Sequence, residues 1–148
     1  MRRRLLISGL MSKTAGRPLI YNGKELSIEG IINNKEKNLV GIGTDILVNN
    51  TIGTYNVGIG ARVLNNNTEG CFNVGIGTEC LKNNLIASNN VGIGYRALYK
   101  TTSGGNNIAI GLECLQDNTV GSNNIAIGVQ VLWRNRTGHY NIAIGSEC

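Results

Sequence analysis

The chain has 148 residues, 41% of them hydrophobic but only 5% aromatic, and 21 are glycine. So few rings among so many glycines exclude a core of large interlocking side chains and favour a thin, close-packed β stack of Val, Ile and Leu. The net charge of +5 belongs to one end: residues 1–37 hold eight Lys and Arg against three Glu, whereas 38–148 hold six charges of each sign.

Residues 1–17 carry Arg2, Arg3, Arg4, Lys13 and Arg17 without clear periodicity. A basic leader on a neutral remainder is expected to act as an arm that docks on an acidic surface. No nucleic-acid-binding module or aromatic interleaving accompanies the charge, so nucleic acid is not the expected partner. The run Leu5–Met11 imitates a secretory signal, but it is short, Lys13 closes it, and no convincing cleavage site succeeds it. Nothing else in the chain approaches a membrane span.

Residues 18–37 change character. Leu19-Ile20-Tyr21 and Glu25-Leu26-Ser27-Ile28 flank Asn22-Gly23, whose residues both tolerate positive φ. This predicts a small hairpin that, with the segment leading on to residue 37, caps the first edge of the repeat region.

From residue 38 to 148 one sentence is written seven times. Gly-Ile-Gly or Ala-Ile-Gly begins at Gly41, Gly58, Gly75, Gly92, Ala109, Ala126 and Ala143, always 17 residues apart. A period without slippage predicts a solenoid in which each turn sits on the last in one register. The strand of each turn alternates large, small, large, as in Val57-Gly58-Ile59. By size, the Val40-to-Ile142 and Ile42-to-Ile144 ladders are expected to be the core. The Gly/Ala face is then expected to receive a neighbouring copy around a three-fold axis. The next Gly (Gly43 to Gly145) marks a bend. Pairs such as Val63-Leu64 and Cys80-Leu81 are expected to form a second short strand or bend with Leu inward. Asn columns at 50, 67, 84, 118 and 135 (Thr101 interrupting) and at 56, 73, 90, 107, 124 and 141 are expected to form amide ladders at the corners. The column Asp45, Arg62, Glu79, Arg96, Glu113, Gln130, Glu147 mostly alternates in sign, as stacked neighbours should. The expected architecture is all-β, a parallel β-roll or β-solenoid of seven coils (38–148) with the last incomplete.

Asn-Val-Gly-Ile-Gly and Asn-Ile-Ala-Ile-Gly, with the later Leu, resemble the head repeats of trimeric autotransporter adhesins of the YadA type. They are still more similar to the longer relatives of those repeats in phage and giant-virus fibres. The opening Met1-Arg2-Arg3-Arg4-Leu5-Leu6 also resembles the start of structural proteins in crAss-like phages. The resemblance covers 38–148 and implies a β-roll homotrimer, but it names no ligand. An autotransporter would add a secretory signal, coiled-coil stalk and anchor, and a tail fibre often adds a C-terminal chaperone domain. None of these is read in the sequence. The seventh turn breaks off at Cys148, before its Leu, so the expectation is that the protein continues or that another subunit covers the end.

Chemistry is sparse. Cys80, Cys114 and Cys148 share a column two turns apart, about 9.6 Å between backbones, too far for a disulfide. Small buried hydrophobes are the expected role. No catalytic residue, cofactor site or metal site is read: the acids form no pair suited to acid–base work, no CxxC spacing occurs, and the Gly-x-Gly strings precede no helix. The broken ladder Thr51, Thr68, Thr102, Thr119 argues against an ice-binding face. Tyr99, Trp133, His139 and Tyr140 are the candidate exposed contacts, for a host-surface glycan or protein or for the packing of subunits. The leading expectation is a trimeric fibre or spike shaft, located in the virion and held to other virion proteins through residues 1–37. The alternatives are a secreted trimeric adhesin head segment at the cell surface, and a trimeric left-handed β-helix acyltransferase using His139. The 17-residue period without hexads tells against the acyltransferase.

Overall fold

The structure is a computed structural model that describes residues 19–21, 24–26, 31–34 and 36–148. Strands β1 (Leu19–Tyr21) and β2 (Lys24–Leu26) pair antiparallel, with Leu19 opposite Leu26 and Tyr21 opposite Lys24. They flank Asn22-Gly23, where the hairpin signal lies. That turn itself, and the basic residues Arg2, Arg3, Arg4, Lys13 and Arg17, lie outside the described residues.

The repeats give one strand per coil: β4 (Leu39–Thr44), β5 (Val57–Ala61), β6 (Val74–Thr78), β7 (Val91–Ile93), β8 (Ile108–Leu112), β9 (Ile125–Val129) and β10 (Ile142–Ser146). They pair in parallel and in sequence order, Val57 beside Val74, Val74 beside Val91, Val91 beside Ile108, so the period of 17 sets the register. The result is a β-solenoid of about six turns, and no described residue is helical. Strand β3 (Ile31–Asn34) runs antiparallel along the outer edge of β4, with Ile32 opposite Gly41, and satisfies an edge that would otherwise be open.

Which face is inside is the reverse of the expectation from side-chain size. Gly41, Gly58, Gly75, Gly92, Ala109 and Ala126 are buried, whereas Val40 and Ile42 are exposed and the same two rows in β5 to β9, Val57 and Ile59 through Ile125 and Ile127, are half-buried. What approaches the small residues is the chain's own coil. A Cβ on Gly58 would come within 2.6 Å of Ile46 Cγ2, and one on Gly75 within 2.5 Å of Val63 Cγ1. Period two defines two faces but does not say which one looks inward. Here a 17-residue coil is so narrow that Leu, the small apolar column and two Asn columns already fill it. Only a hydrogen or a methyl fits on the strand's inner face. The core is accordingly Ile46, Val63, Cys80, Ala97, Cys114 and Val131 stacked beside Leu47, Leu64, Leu81, Leu98 and Leu115.

No second strand forms. The Leu of each coil adopts positive φ instead, 49° at Leu64 and 51° at Leu81, and its carbonyl accepts from the amide three residues on, as in Asn67 N to Leu64 O at 3.1 Å. A left-handed Leu costs about 1–2 kcal/mol. Full burial of the same side chain contributes about 1.5–3 kcal/mol. Burial wins, and Leu64, Leu81, Leu98 and Leu115 are completely covered. The bend before it needs Gly, as expected: Gly60 has φ 135°, and a Cβ there would overlap the carbonyl oxygen of Gly77 in the next coil.

The amide ladders are present. In the 56-to-141 column, each Asn oxygen from Asn56 to Asn124 accepts the next coil's Asn backbone N–H, and at all but Asn73 the side-chain amide as well (Asn73 N to Asn56 Oδ1 2.9 Å, Asn73 Nδ2 to the same atom 3.1 Å). Asn73 Nδ2 also donates to a corner carbonyl, Ala87 O, at 2.8 Å. In the other column Asn67 Nδ2 donates to Asn50 Oδ1 (2.7 Å) and Asn84 Nδ2 to Asn67 Oδ1 (2.6 Å). That ladder stops at Thr101, leaving Asn84 Oδ1 and Thr101 Oγ1 buried without partners.

Candidate functional site

Two surfaces stand out against the polar turns. The first is the outer face of the sheet, where two rows of branched side chains run unbroken from Val40 and Ile42 through Ile142 and Ile144. A third column joins them past the Gly bend, with Tyr95, Leu112 and Val129 each just over two-fifths exposed. Seven strands about 4.8 Å apart make this stripe roughly 29 Å long. A continuous apolar face of this kind on a small domain marks a contact surface.

The second is electrostatic. Glu79, almost covered, is reached by Arg96 Nε at 2.7 Å, Lys82 Nζ at 3.1 Å and Arg62 Nη2 at 3.2 Å. The hydrogen bond from Arg96 above all, then Lys82 and Arg62, outweighs burial and holds the Glu79 carboxyl below its ordinary value of 4.5. The Arg96 guanidinium in turn lies over the rings of Tyr95 (5.0 Å) and Tyr99 (5.2 Å), with Lys82 over Tyr99 at 5.6 Å. The sign alternation along the column announces the Arg62–Glu79–Arg96 stack. The arrival of Lys82 from three residues on, and of Tyr95, is not readable from the sequence. A third amide column, Asn49 to Asn66 (3.1 Å) and Asn66 to Asn83 (3.0 Å), also escapes a reading by period alone. It is the neighbour of the Asn50-to-Asn135 column, and the Lys100–Asp117 pair (2.9 Å) continues it.

The four candidate contact residues do not form one patch. Tyr99 and Trp133 share a column two coils apart, both partly buried, with Arg134 lying 4.1 Å over the Trp133 ring. His139 and Tyr140 lie on the opposite corner, tilted at 6.4 Å, with Tyr140 80% exposed. His139 Nδ1 accepts from the backbone N–H of Ser122 at 3.0 Å, which gives the imidazole a place in a corner ladder. Tyr55 and Phe72 stack at 4.9 Å with half of each residue exposed.

All four cysteines are free. Burial pushes the Cys80 thiol up to about 12 and raises that of Cys114 as well, so both behave as core hydrophobes. The Thr hydroxyls of the broken ladder donate to carbonyls 17 residues on, as in Thr68 Oγ1 to Leu85 O at 2.8 Å. Among the described residues no group of three His, Cys, Asp or Glu could hold a metal ion, and no helix is long and apolar enough to cross a membrane. Compared with protein-family models, curated proteins and solved structures, the chain matches none.

Proposed function

We propose that this chain is a structural, non-enzymatic virion component. Three copies pack through their branched faces into a stiff shaft, and the basic leader, residues 1–17, docks the shaft to other proteins of a phage particle. The observation that carries the reading is the apolar stripe along all seven parallel strands, which a lone chain leaves half-buried in the middle and exposed at Val40, Ile42, Ile142 and Ile144. Packing three such faces around an axis would complete the burial of side chains that the solenoid covers only in part. The ladders of backbone and Asn amide bonds supply stiffness along the axis. The resemblance to YadA-type head repeats and phage-fibre repeats points to the same use. Attachment to a host-surface glycan or protein fits at the tip of such a shaft.

A secreted adhesin head segment is the second reading, favoured by the exposed Tyr55–Phe72 stack, a flat aromatic surface suited to contact. Mass spectrometry of purified particles, with imaging of where residues 1–37 are held, separates the two. The virion reading expects the chain in stoichiometric amounts in washed particles. Its absence there, with recovery from the host-cell surface, would overturn it.

A further inference from the structure

The coil from Val91 to Asn107 departs from the repeat in several ways at once. Its strand, β7, has three residues where β5, β6, β8 and β9 have five. Thr101 breaks the buried amide ladder and orphans two oxygen atoms. Large side chains, Tyr95 and Tyr99, stand where most other coils carry smaller or polar ones. Departures of this kind cost stability, and chains keep them where a site needs them.

What the departures accompany is the cluster on Glu79. Three cations converge on one carboxylate, leaving two positive charges in excess. Two further acids flank the cluster one coil away in the same column, Asp45 beside Arg62 and Glu113 beside Arg96. Glu113 Oε2 accepts from the neutral Gln130 at 2.8 Å, and among the described residues neither acid forms an ion pair with the cluster, while Asp117 pairs with Lys100. Arg96 reaches Glu79 with Nε at 2.7 Å. The two tyrosine rings hold that guanidinium in place, so little side-chain freedom remains to be lost on binding. The side chains of Arg62, Arg96 and Lys82 stay 51%, 35% and 23% exposed, within reach of solvent.

We infer that Arg62, Lys82 and Arg96 form a binding site for a dianionic phosphomonoester, whose charge matches the excess of two and whose oxygens suit guanidinium forks. Glu79 is then a positioning residue that holds the three cations together. The site lies past the Gly bend, beside the branched outer face, and meets it at Tyr95.

The test is an NMR titration of the full chain at pH 7.5 and constant ionic strength, following the amides of Arg62, Glu79, Lys82, Arg96 and Tyr99. Inorganic phosphate, glucose 6-phosphate, sulfate and chloride are the probes. Saturable shifts with both phosphates, weaker ones with sulfate and none with chloride are expected. A stronger response to glucose 6-phosphate than to free phosphate would identify a phosphorylated sugar as the source, and the reverse would identify the free anion. One charge about 6 Å from a dianion in water changes affinity about tenfold before salt screening. Arg62→Gln should therefore weaken phosphate binding by up to about tenfold, and Glu79→Gln should tighten it by a similar factor. Arg62 is half exposed, so its variant keeps the test valid if Glu79→Gln disturbs the fold. Shifts that chloride reproduces, or affinities unmoved by Arg62→Gln, would overturn the proposal.

Discussion

Thr101→Asn should make the protein more stable, although it replaces a buried residue in a packed stack. Thr101 interrupts a column in which an Asn with an Asn one coil before it donates its side-chain amide both to that Asn oxygen and to a carbonyl three residues on, as Asn67 does at 2.7 and 3.0 Å. With Thr there, Asn84 Oδ1 has lost its donor and Thr101 Oγ1 is buried without a partner. A buried polar group left unpaired costs about 1–3 kcal/mol. Asn at 101 would supply the missing donor to Asn84 Oδ1 and a second bond to Gly104 O. The expected gain is about 1–3 kcal/mol, or about 2–4 °C in Tm per kcal/mol for a chain of this size. Thr101→Val removes one orphan of the two and should fall between wild type and Thr101→Asn. The mirror change, Asn67→Thr, breaks an intact ladder and should cost the same about 1–3 kcal/mol. Circular-dichroism melts at one protein concentration measure all three. A Thr101→Asn melt at or below the wild-type value, or a costless Asn67→Thr, would refute the reasoning.

Gly60→Ala combines a φ of 135° with a Cβ placed against the Gly77 carbonyl, and should cost on the order of 3 kcal/mol in the same melts; a neutral result would mean the bend is soft. The lowered pKa of Glu79 means that its ion pairs stabilise fully above pH 4.5 and are lost as pH falls through the lowered value. Wild-type Tm should therefore drop more steeply than that of Glu79→Gln below pH 4.5, and parallel curves would contradict the assignment. With a thiol reagent at about pH 8, Cys148 should react in the native state while Cys80 and Cys114 wait for denaturant. Rapid native labelling of Cys80 would place the small column outside the coil.

Much of this fold is legible in the sequence because it repeats. The invariant spacing of Gly43 to Gly145 gives the register and the bend, and the Asn columns give the ladders that close the corners. The burial of the strand is not legible, and the reason is physical. Val57-Gly58-Ile59 says only that large and small residues face opposite ways. Which way is inward depends on how full the coil already is, and that is decided by Val63, Leu64, Asn67 and Asn73 elsewhere in the turn. The positive φ of Leu64 is likewise hidden, since propensity speaks against it and only tertiary burial favours it. The cluster on Glu79 is half legible: residues 17 apart are expected to stack, whereas the reach of Lys82 depends on where a flexible side chain lands.

The corrected orientation turns the branched rows from core into an outer face, and the mass of the full chain in solution tests most directly whether that face is where the proposed trimer packs. Sedimentation equilibrium at micromolar concentration should give about 47 kDa, three times the 15.8 kDa of one chain. The double variant Ile59→Glu and Ile93→Glu, two coils apart so that the new charges are not stacked, should fall to a single chain while keeping its β spectrum, because both side chains lie on the outer face. A wild-type mass of 15.8 kDa, or a double variant that unfolds as a buried-core change would, contradicts the account.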